Sequence, residues 1–167
     1  MIVPLGDGAA VATSVAVWVL TSLAVGWLAV RWSDAALDRV GPVLRLRRWE
    51  DGGRFWVRRL RVLAWKDRIP EAGAFFSGGT AKRSIGRPTA QALRSFRRET
   101  VRAERVHWLL VASGPVHLLW CRPTVGAGMV AFGVLFDAPF IVVQRTNRGR
   151  IERVLARREP DGGRRAS

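Results

Sequence analysis

Three apolar stretches, separated by strongly basic segments, dominate the pattern of hydrophobic and polar positions. Ala9–Val30 contains no charge, Val106–Trp120 is shorter, and Thr124–Val143 contains a single charged residue, Asp137. About 20 apolar residues rising 1.5 Å each cross a hydrocarbon core of roughly 30 Å. Because lipid offers the backbone no hydrogen-bond partners, spans of this kind are helical. The pattern predicts an all-α membrane protein with three hydrophobic helices.

The first stretch also has an interpretation as a cleaved secretory signal. The segment before it, MIVPLGDG, carries Asp7 but no lysine or arginine, which is opposite to the basic start of a signal peptide. We therefore expect residues 1–32 to form a retained N-terminal transmembrane helix.

The second and third stretches are separated only by Cys121, Arg122 and Pro123, so residues 106–144 are expected to form a hydrophobic helical hairpin, whether or not its first arm fully crosses. Of 28 Lys and Arg residues, 19 lie from Arg31 to Arg105 and 8 follow Val143. Cytoplasmic flanks of membrane proteins carry the excess of basic residues. This predicts an external N-terminus, a basic cytoplasmic loop over 33–105 and a basic cytoplasmic tail over 145–167.

The net charge of +15 could also indicate a nucleic-acid-binding protein. Few aromatic residues interleave the arginines in a recognisable module, so no nucleic-acid partner is expected. The single cysteine cannot form an internal disulfide. Linker composition is confined to residues 77–88 and to the polar end, residues 159–167.

The basic loop contains an amphipathic pattern over Phe55–Lys66, which predicts an interfacial helix. Trp49 and Trp65 are placed to anchor it at the headgroup boundary. A solvated amphipathic helix packed on the hairpin explains the pattern equally well. Asp67, Pro70, Glu71 and Gly73, in the string WKDRIPEAG, are expected to end the helix and turn the chain.

The segment entering the second stretch places Glu104 and His107 three residues apart, and such residues are neighbours on a helix. A carboxylate beside an imidazole can fix its tautomer for general-base chemistry. The same two residues could instead be a structural pair at the membrane surface. The Glu-x-x-His spacing also occurs at metal sites in helical bundles, but no second copy accompanies it, so no metal is expected.

Asp137 is unusual because a carboxylate inside an apolar span is costly and usually faces protein or water. It lies about two turns from the basic end of its helix, and the hairpin can bring it close to His107 on the antiparallel neighbour. Pro139 is expected to weaken the helix nearby. The chain is expected to leave the membrane at Gln144 and Arg145, where QRTNRGR suits an anionic or sugar-bearing head group. A basic anchor that follows the positive-inside rule explains the arginines of this segment but not Gln144 and Asn147.

Three blocks, FWVRRLRVLAWKDRIPEAG, ETVRAERVHW and APFIVVQRTNRGRI, resemble the glycosyl-4,4'-diaponeurosporenoate acyltransferase family of small bacterial membrane proteins, in the same order over Arg48–Leu155. The resemblance implies transfer of a fatty acyl group, from a donor such as an acyl thioester, to a sugar hydroxyl of a glycosylated carotenoid or related glycolipid at the bacterial cell membrane. Two positions depart from the family pattern: Asp137 stands where an amide is expected, and Gly149 where a proline is expected.

Acyl transfer requires a base for the alcohol and donors for the oxyanion. His107 with Glu104 is the expected base. The expected substrate-binding residues are Trp65, Lys66, Asp137, Gln144, Arg145, Asn147 and Arg148. No His-x-x-x-x-Asp sequence and no serine nucleophile elbow is present, which favours direct attack by the acceptor. Expected partners are membrane lipids, the acyl donor and the glycosylated acceptor, with no cofactor beyond the donor. A noncatalytic membrane protein that binds a glycolipid or assembles other enzymes is the alternative.

Overall fold

The structure, a computed structural model, describes Val3, residues 5–68 and residues 89–158, and is helical throughout these ranges except for short connections. The α-helices are α1 (Asp7–Ala29), α2 (Asp34–Asp38), α3 (Arg54–Leu60), α4 (Val62–Trp65), α5 (Ala90–Ser113) and α6 (Pro123–Arg158). Shorter 3-10 helices cover Arg48–Gly53, Lys66–Arg68 and Gly114–Leu119. Of the residues predicted to end the helix and turn the chain, Asp67 lies in the 3-10 helix Lys66–Arg68. Pro70, Glu71 and Gly73, the linker over residues 77–88 and the polar end lie outside the described residues.

Helices α5 and α6 form the predicted antiparallel hairpin. Contacts pair Arg97 with Glu152 near one end, Glu104 with Arg145 farther along, and Gly114 with Val130 near the tip. Sequence numbers rise along one helix as they fall along the other, which fixes both direction and register. Helix α1 packs against this hairpin, with Trp18 directly over Gly133.

Two helices, α1 and α6, are long and apolar enough to cross a membrane. Only 11% and 22% of their most apolar windows is buried, and large side chains such as Leu20 and Leu135 are exposed. A core helix of a soluble protein would bury this face, so the exposure indicates membrane association.

The prediction of a third hydrophobic helix over Val106–Trp120 is not confirmed. Helix α5 ends at Ser113, and the remaining residues tighten into the 3-10 helix Gly114–Leu119, with Pro115 in its first turn. Proline lacks a backbone N–H and fixes φ, which accounts for a change of structure here. The hydrophobic arm is thus the last part of a longer helix that begins among arginines.

The prediction of a single amphipathic helix over Phe55–Lys66 is wrong. Arg61 adopts left-handed backbone angles, with φ 48° and ψ 39°, between α3 and α4. This conformation interrupts an α-helix, so the residues on either side no longer share one continuous face. Helix α6 runs through Pro139 to Arg158, so the proline expected to weaken the helix does not end it. The helix continues past residues 144 and 145, where the chain is expected to leave the membrane.

The loop before α3 reaches α6 through a left-handed turn, which we define as Asp51–Gly53. All three residues have positive φ, of 49°, 56° and 88°. The backbone of this turn packs closely against α6 at Thr146 and Gly149. Glycine at 149 permits this approach because a Cβ there would overlap the Gly52 carbonyl.

Replacing Gly149 with alanine is expected to lower the free energy of unfolding by about 1–3 kcal/mol, because the added methyl group would force the left-handed turn off α6. Thermal unfolding of the purified protein in detergent measures the effect. Gly128→Ala, in the same helix with open space around the added atom, is the matched control and should be neutral or slightly stabilising. Equal stability of the two variants would contradict the packing described.

Candidate active site

An imidazole–carboxylate pair lies between the two arms of the hairpin. The His107 Nδ1 is 2.7 Å from Asp137 Oδ1, and the ring stacks on Phe140 with 4.6 Å between centroids. Asp137 is fully buried, whereas 17% of the His107 side chain is exposed. The expected approach of Asp137 to His107 is confirmed. Burying a carboxylate in an apolar helix is unfavourable unless it has a partner, and His107 is that partner for Asp137. The His107 ring is nevertheless partly exposed at the surface.

The predicted contact between Glu104 and His107 is wrong. The buried Glu104 carboxylate accepts from Arg145 at 2.6 Å on one oxygen and from Arg148 on the other. The Trp108 indole also approaches it, at 3.3 Å. Residues 104 and 107 share a helix face, but charge-assisted bonds to arginine are stronger than a bond to neutral imidazole, so the carboxylate turns to α6.

A second buried carboxylate, Glu50, completes what we call the buried ion network: Glu50, Glu104, Arg145 and Arg148. Arg145 donates to Glu50 from Nε at 2.8 Å and from Nη2 at 2.5 Å. The four formal charges cancel, and each side chain is at most 8% exposed. Buried charges persist only when paired and hydrogen-bonded in this way.

The network fastens the basic loop to the hairpin. Both arginines also donate to backbone carbonyls of that loop, Arg145 to Val43 and Arg45, and Arg148 to Leu44. The chain before α3 is thereby held across α5 and α6 near His107. Arg145 and Arg148, predicted to bind substrate, thus make their observed contacts within the protein.

Sequence reasoning missed Glu50. It is one of two adjacent acids, with Asp51, among basic and aromatic residues, and it accepts from the Trp56 indole at 2.8 Å and the Arg47 N–H at 2.7 Å. This acidic pair between arginines was the available signal. Its partner on α6, Arg145, is 95 residues away in the sequence. The local pattern of residue types does not predict a contact over that separation.

The other predicted substrate-binding residues fall into two groups. Gln144 is half-buried and lies seven residues after Asp137, on the same stripe of α6, and half-buried Asn147 follows one turn later. Trp65 and Lys66 have local partners, the Leu60 carbonyl and Asp67. Gln144 therefore shares a stripe of α6 with Asp137, whereas Asn147 projects about 80° away from it. The contacts of Trp65 and Lys66 are local and do not involve His107.

A groove opens beside the buried ion network. Its volume is about 340 Å³, within the range of small-molecule sites. We define the groove by its lining residues: Val43, Arg47, Trp49, Trp56, Trp108, Val111, Val134, Ala138, Ile141, Val142 and Arg145. His107, Asp137 and Phe140 do not line it. Within the described ranges, no three His, Cys, Asp or Glu side chains gather as metal ligands would.

The buried ion network predicts that the folded protein is less stable at acidic pH. Burial opposes ionisation of Glu50, but hydrogen bonds from Arg145, the Arg47 N–H and Trp56 outweigh it and hold the pKa of Glu50 below its ordinary value of 4.5. A depressed pKa contributes stability that is complete above the ordinary value and is lost as the pH falls through the folded-state pKa. We therefore expect the thermal midpoint to decrease as the pH is lowered below about 4.5.

Glu50→Gln isolates this contribution, since the amide cannot titrate. The midpoint of this variant should already be lower at neutral pH, and it should change less than that of the wild type on acidification. Parallel pH curves for the two proteins would show that Glu50 does not contribute.

The fold and the site together define a helical membrane-associated protein with a histidine–carboxylate pair between two helices. A family model described as glycosyl-4,4'-diaponeurosporenoate acyltransferase matches residues 41–157. The chain belongs to this family, as the sequence resemblance predicted, and its predicted class, acyltransferase, is confirmed.

Relatives carrying that name come from staphylococci. The Staphylococcus haemolyticus (strain JCSC1435) protein is 27% identical over 143 residues, which cover 82% of this chain and 80% of the relative. The Staphylococcus aureus (strain MRSA252) protein is 26% identical over 139 residues, or 83% of each chain. No solved structure matches.

Proposed function

We propose that the protein esterifies a sugar hydroxyl of a glycosylated carotenoid, or of a related glycolipid, with a fatty acyl group from an acyl thioester. The names of the relatives supply the acceptor class, a glycosyl diaponeurosporenoate. The observation that carries the proposal is the His107–Asp137 pair, because an imidazole held by a carboxylate can act as a base for a hydroxyl.

In the proposed reaction His107 acts as the general base and Asp137 as its positioning residue. Asp137 accepts from Nδ1–H, which leaves the Nε2 lone pair for the acceptor hydroxyl. Nε2 takes the hydroxyl proton as the oxygen attacks the thioester carbonyl carbon. The carbon–sulfur bond of the tetrahedral intermediate then breaks, and the imidazolium returns its proton to the departing thiolate.

The oxyanion of that intermediate needs hydrogen-bond donors. Gln144 and Asn147 are proposed for this purpose because both are half-buried amides that follow Asp137 on α6 within about three turns. Arg145 and Arg148 are assigned instead, with Glu104, to holding this part of α6 in position, since their charges are neutralised within the buried ion network. Trp65 and Lys66 are proposed to contact the acyl donor beyond the end of α4.

The proposed location is the bacterial cell membrane, with the N-terminus outside and the basic segments cytoplasmic. Two findings support this orientation. The hairpin tip lies beside the start of α1, where Arg122 Nη1 is 3.4 Å from Asp7 Oδ2. The basic loop contacts the hairpin through Arg145 and Arg148, farther from the tip than His107 and Asp137 are, and the positive-inside rule would place the cytoplasm on that side.

Lipid and pigment profiling of cells with and without the gene tests the proposal. Loss of one acylated glycolipid, with accumulation of its unacylated form, is the expected result. The purified protein should then form that ester from the accumulated glycolipid and an acyl thioester. An unchanged profile, with no ester formed in vitro, would favour a noncatalytic glycolipid-binding or assembly role.

A further inference from the structure

The groove lies on a different side of α6 from the proposed base. Asp137 and Phe140 face His107, whereas their sequence neighbours Ala138 and Ile141 line the groove. Consecutive residues project about 100° apart on a helix of 3.6 residues per turn. His107, Asp137 and Phe140 do not line the groove, but Val111 and Ile141, which do, follow His107 and Asp137 by four residues. The groove and the proposed base therefore lie on adjoining faces of the hairpin.

The groove has the length and polarity of a site for one lipid chain. Its lining on α6 runs from Val134 to Arg145, which is about 16 Å at 1.5 Å per residue. That distance is close to half of a ~30 Å hydrocarbon core, the depth of one leaflet. The walls are valine, isoleucine, alanine and tryptophan, and both charged lining residues, Arg47 and Arg145, are at one end.

The charge available at that end is that of Arg47. Arg145 is neutralised by Glu50 and Glu104. The exposed Arg47 side chain donates to the Pro42 carbonyl, and among the described residues it forms no ion pair. Arg45 and Arg48 beside it are also exposed, as is Trp49, at 56%. Guanidinium groups at a membrane surface attract phosphate, and indoles favour the same depth.

We propose that the groove binds one acyl chain of an anionic phospholipid, whose phosphate meets Arg47. The lipid would seal the apolar wall formed by Trp108, Ile141 and Val142 and connect the basic loop to the hairpin. It is assigned the role of a bound structural lipid and not of a substrate, because His107 does not line the groove.

The test uses the full chain, purified, delipidated and returned to detergent micelles containing phosphatidylglycerol or phosphatidylcholine. Retained lipid and the thermal midpoint are both measured. Phosphatidylglycerol should be retained and should raise the midpoint more than phosphatidylcholine. Arg47→Glu should reduce its retention at least about fivefold, and Val142→Trp should reduce retention of both lipids by filling the groove.

Two matched variants separate this site from general attraction to a basic protein. Arg59→Glu makes the same charge change on the exposed part of α3, and Leu135→Trp adds the same ring on the exposed face of α6. Both should retain phosphatidylglycerol as the wild type does. Equal loss in Arg59→Glu and Arg47→Glu, no preference for phosphatidylglycerol, or full stabilisation by inorganic phosphate alone would overturn the proposal.

Discussion

Replacing His107 with glutamine is expected to lower the rate of acyl transfer by about 10²- to 10⁴-fold, the range that a positioned base contributes. Glutamine can still hydrogen-bond to Asp137, so the buried carboxylate keeps a partner and the hairpin keeps its packing. It cannot accept and return the proton at neutral pH. Initial rates of ester formation by purified protein, in detergent or vesicles, measure the loss.

The chain offers a matched control in its other histidine. His117 lies in the hairpin tip, buried, and stacks on Trp18 with 5.3 Å between ring centroids. His117→Gln makes the same chemical change far along the hairpin and should leave the rate per folded molecule unchanged. If both variants keep the wild-type rate, His107 is a structural partner of Asp137 and not a base.

Replacing Glu104 with alanine is expected to be the most destabilising single change considered. It would leave Arg148 with a fully buried charge and only the Leu44 carbonyl as its remaining observed partner. Removing one partner of a buried ion pair costs about 3–5 kcal/mol. For a chain of this size we expect the thermal midpoint to fall by roughly 10 °C or more.

Glu99→Ala provides the comparison on the same helix. Glu99 accepts from Arg102 at 2.5 Å, but 29% of its side chain is exposed to solvent, and pairs that solvent reaches contribute about 0–1 kcal/mol. A large difference between the two variants supports the buried ion network. A small effect of Glu104→Ala would mean that water or rearranged side chains compensate both arginines.

The features that could be predicted from sequence are those that local chemistry decides. The hairpin follows from two apolar stretches joined by three residues, and the approach of Asp137 to His107 follows from the hairpin together with the cost of burying a lone carboxylate. The end of α5 at Ser113 was harder to foresee, because the apolar stretch continues while its backbone changes to a 3-10 helix. Hydrophobicity indicates burial in lipid or protein but does not define helix ends.

The partner of Glu104 could not be predicted for a different reason. Helical spacing shows that Glu104 and His107 share a face, but it does not rank the groups that another helix brings to that face. Arg145 and Arg148 compete for the carboxylate more strongly than imidazole does. The path of the loop that brings Glu50 to Arg145 depends on the left-handed turn. Its Asp-Gly-Gly sequence favours positive φ, but the sequence does not show which helix the turn contacts.

The proposed reaction depends on Asp137 and His107 acting together, which the rate of ester formation by Asp137→Asn tests most directly. Asparagine has nearly the same shape and can still accept the hydrogen bond, but it lacks the charge that stabilises an imidazolium. We predict a rate at least about tenfold lower, equivalent to about 1.4 kcal/mol, with an unchanged thermal midpoint and acceptor KM. A wild-type rate in this variant would contradict the account.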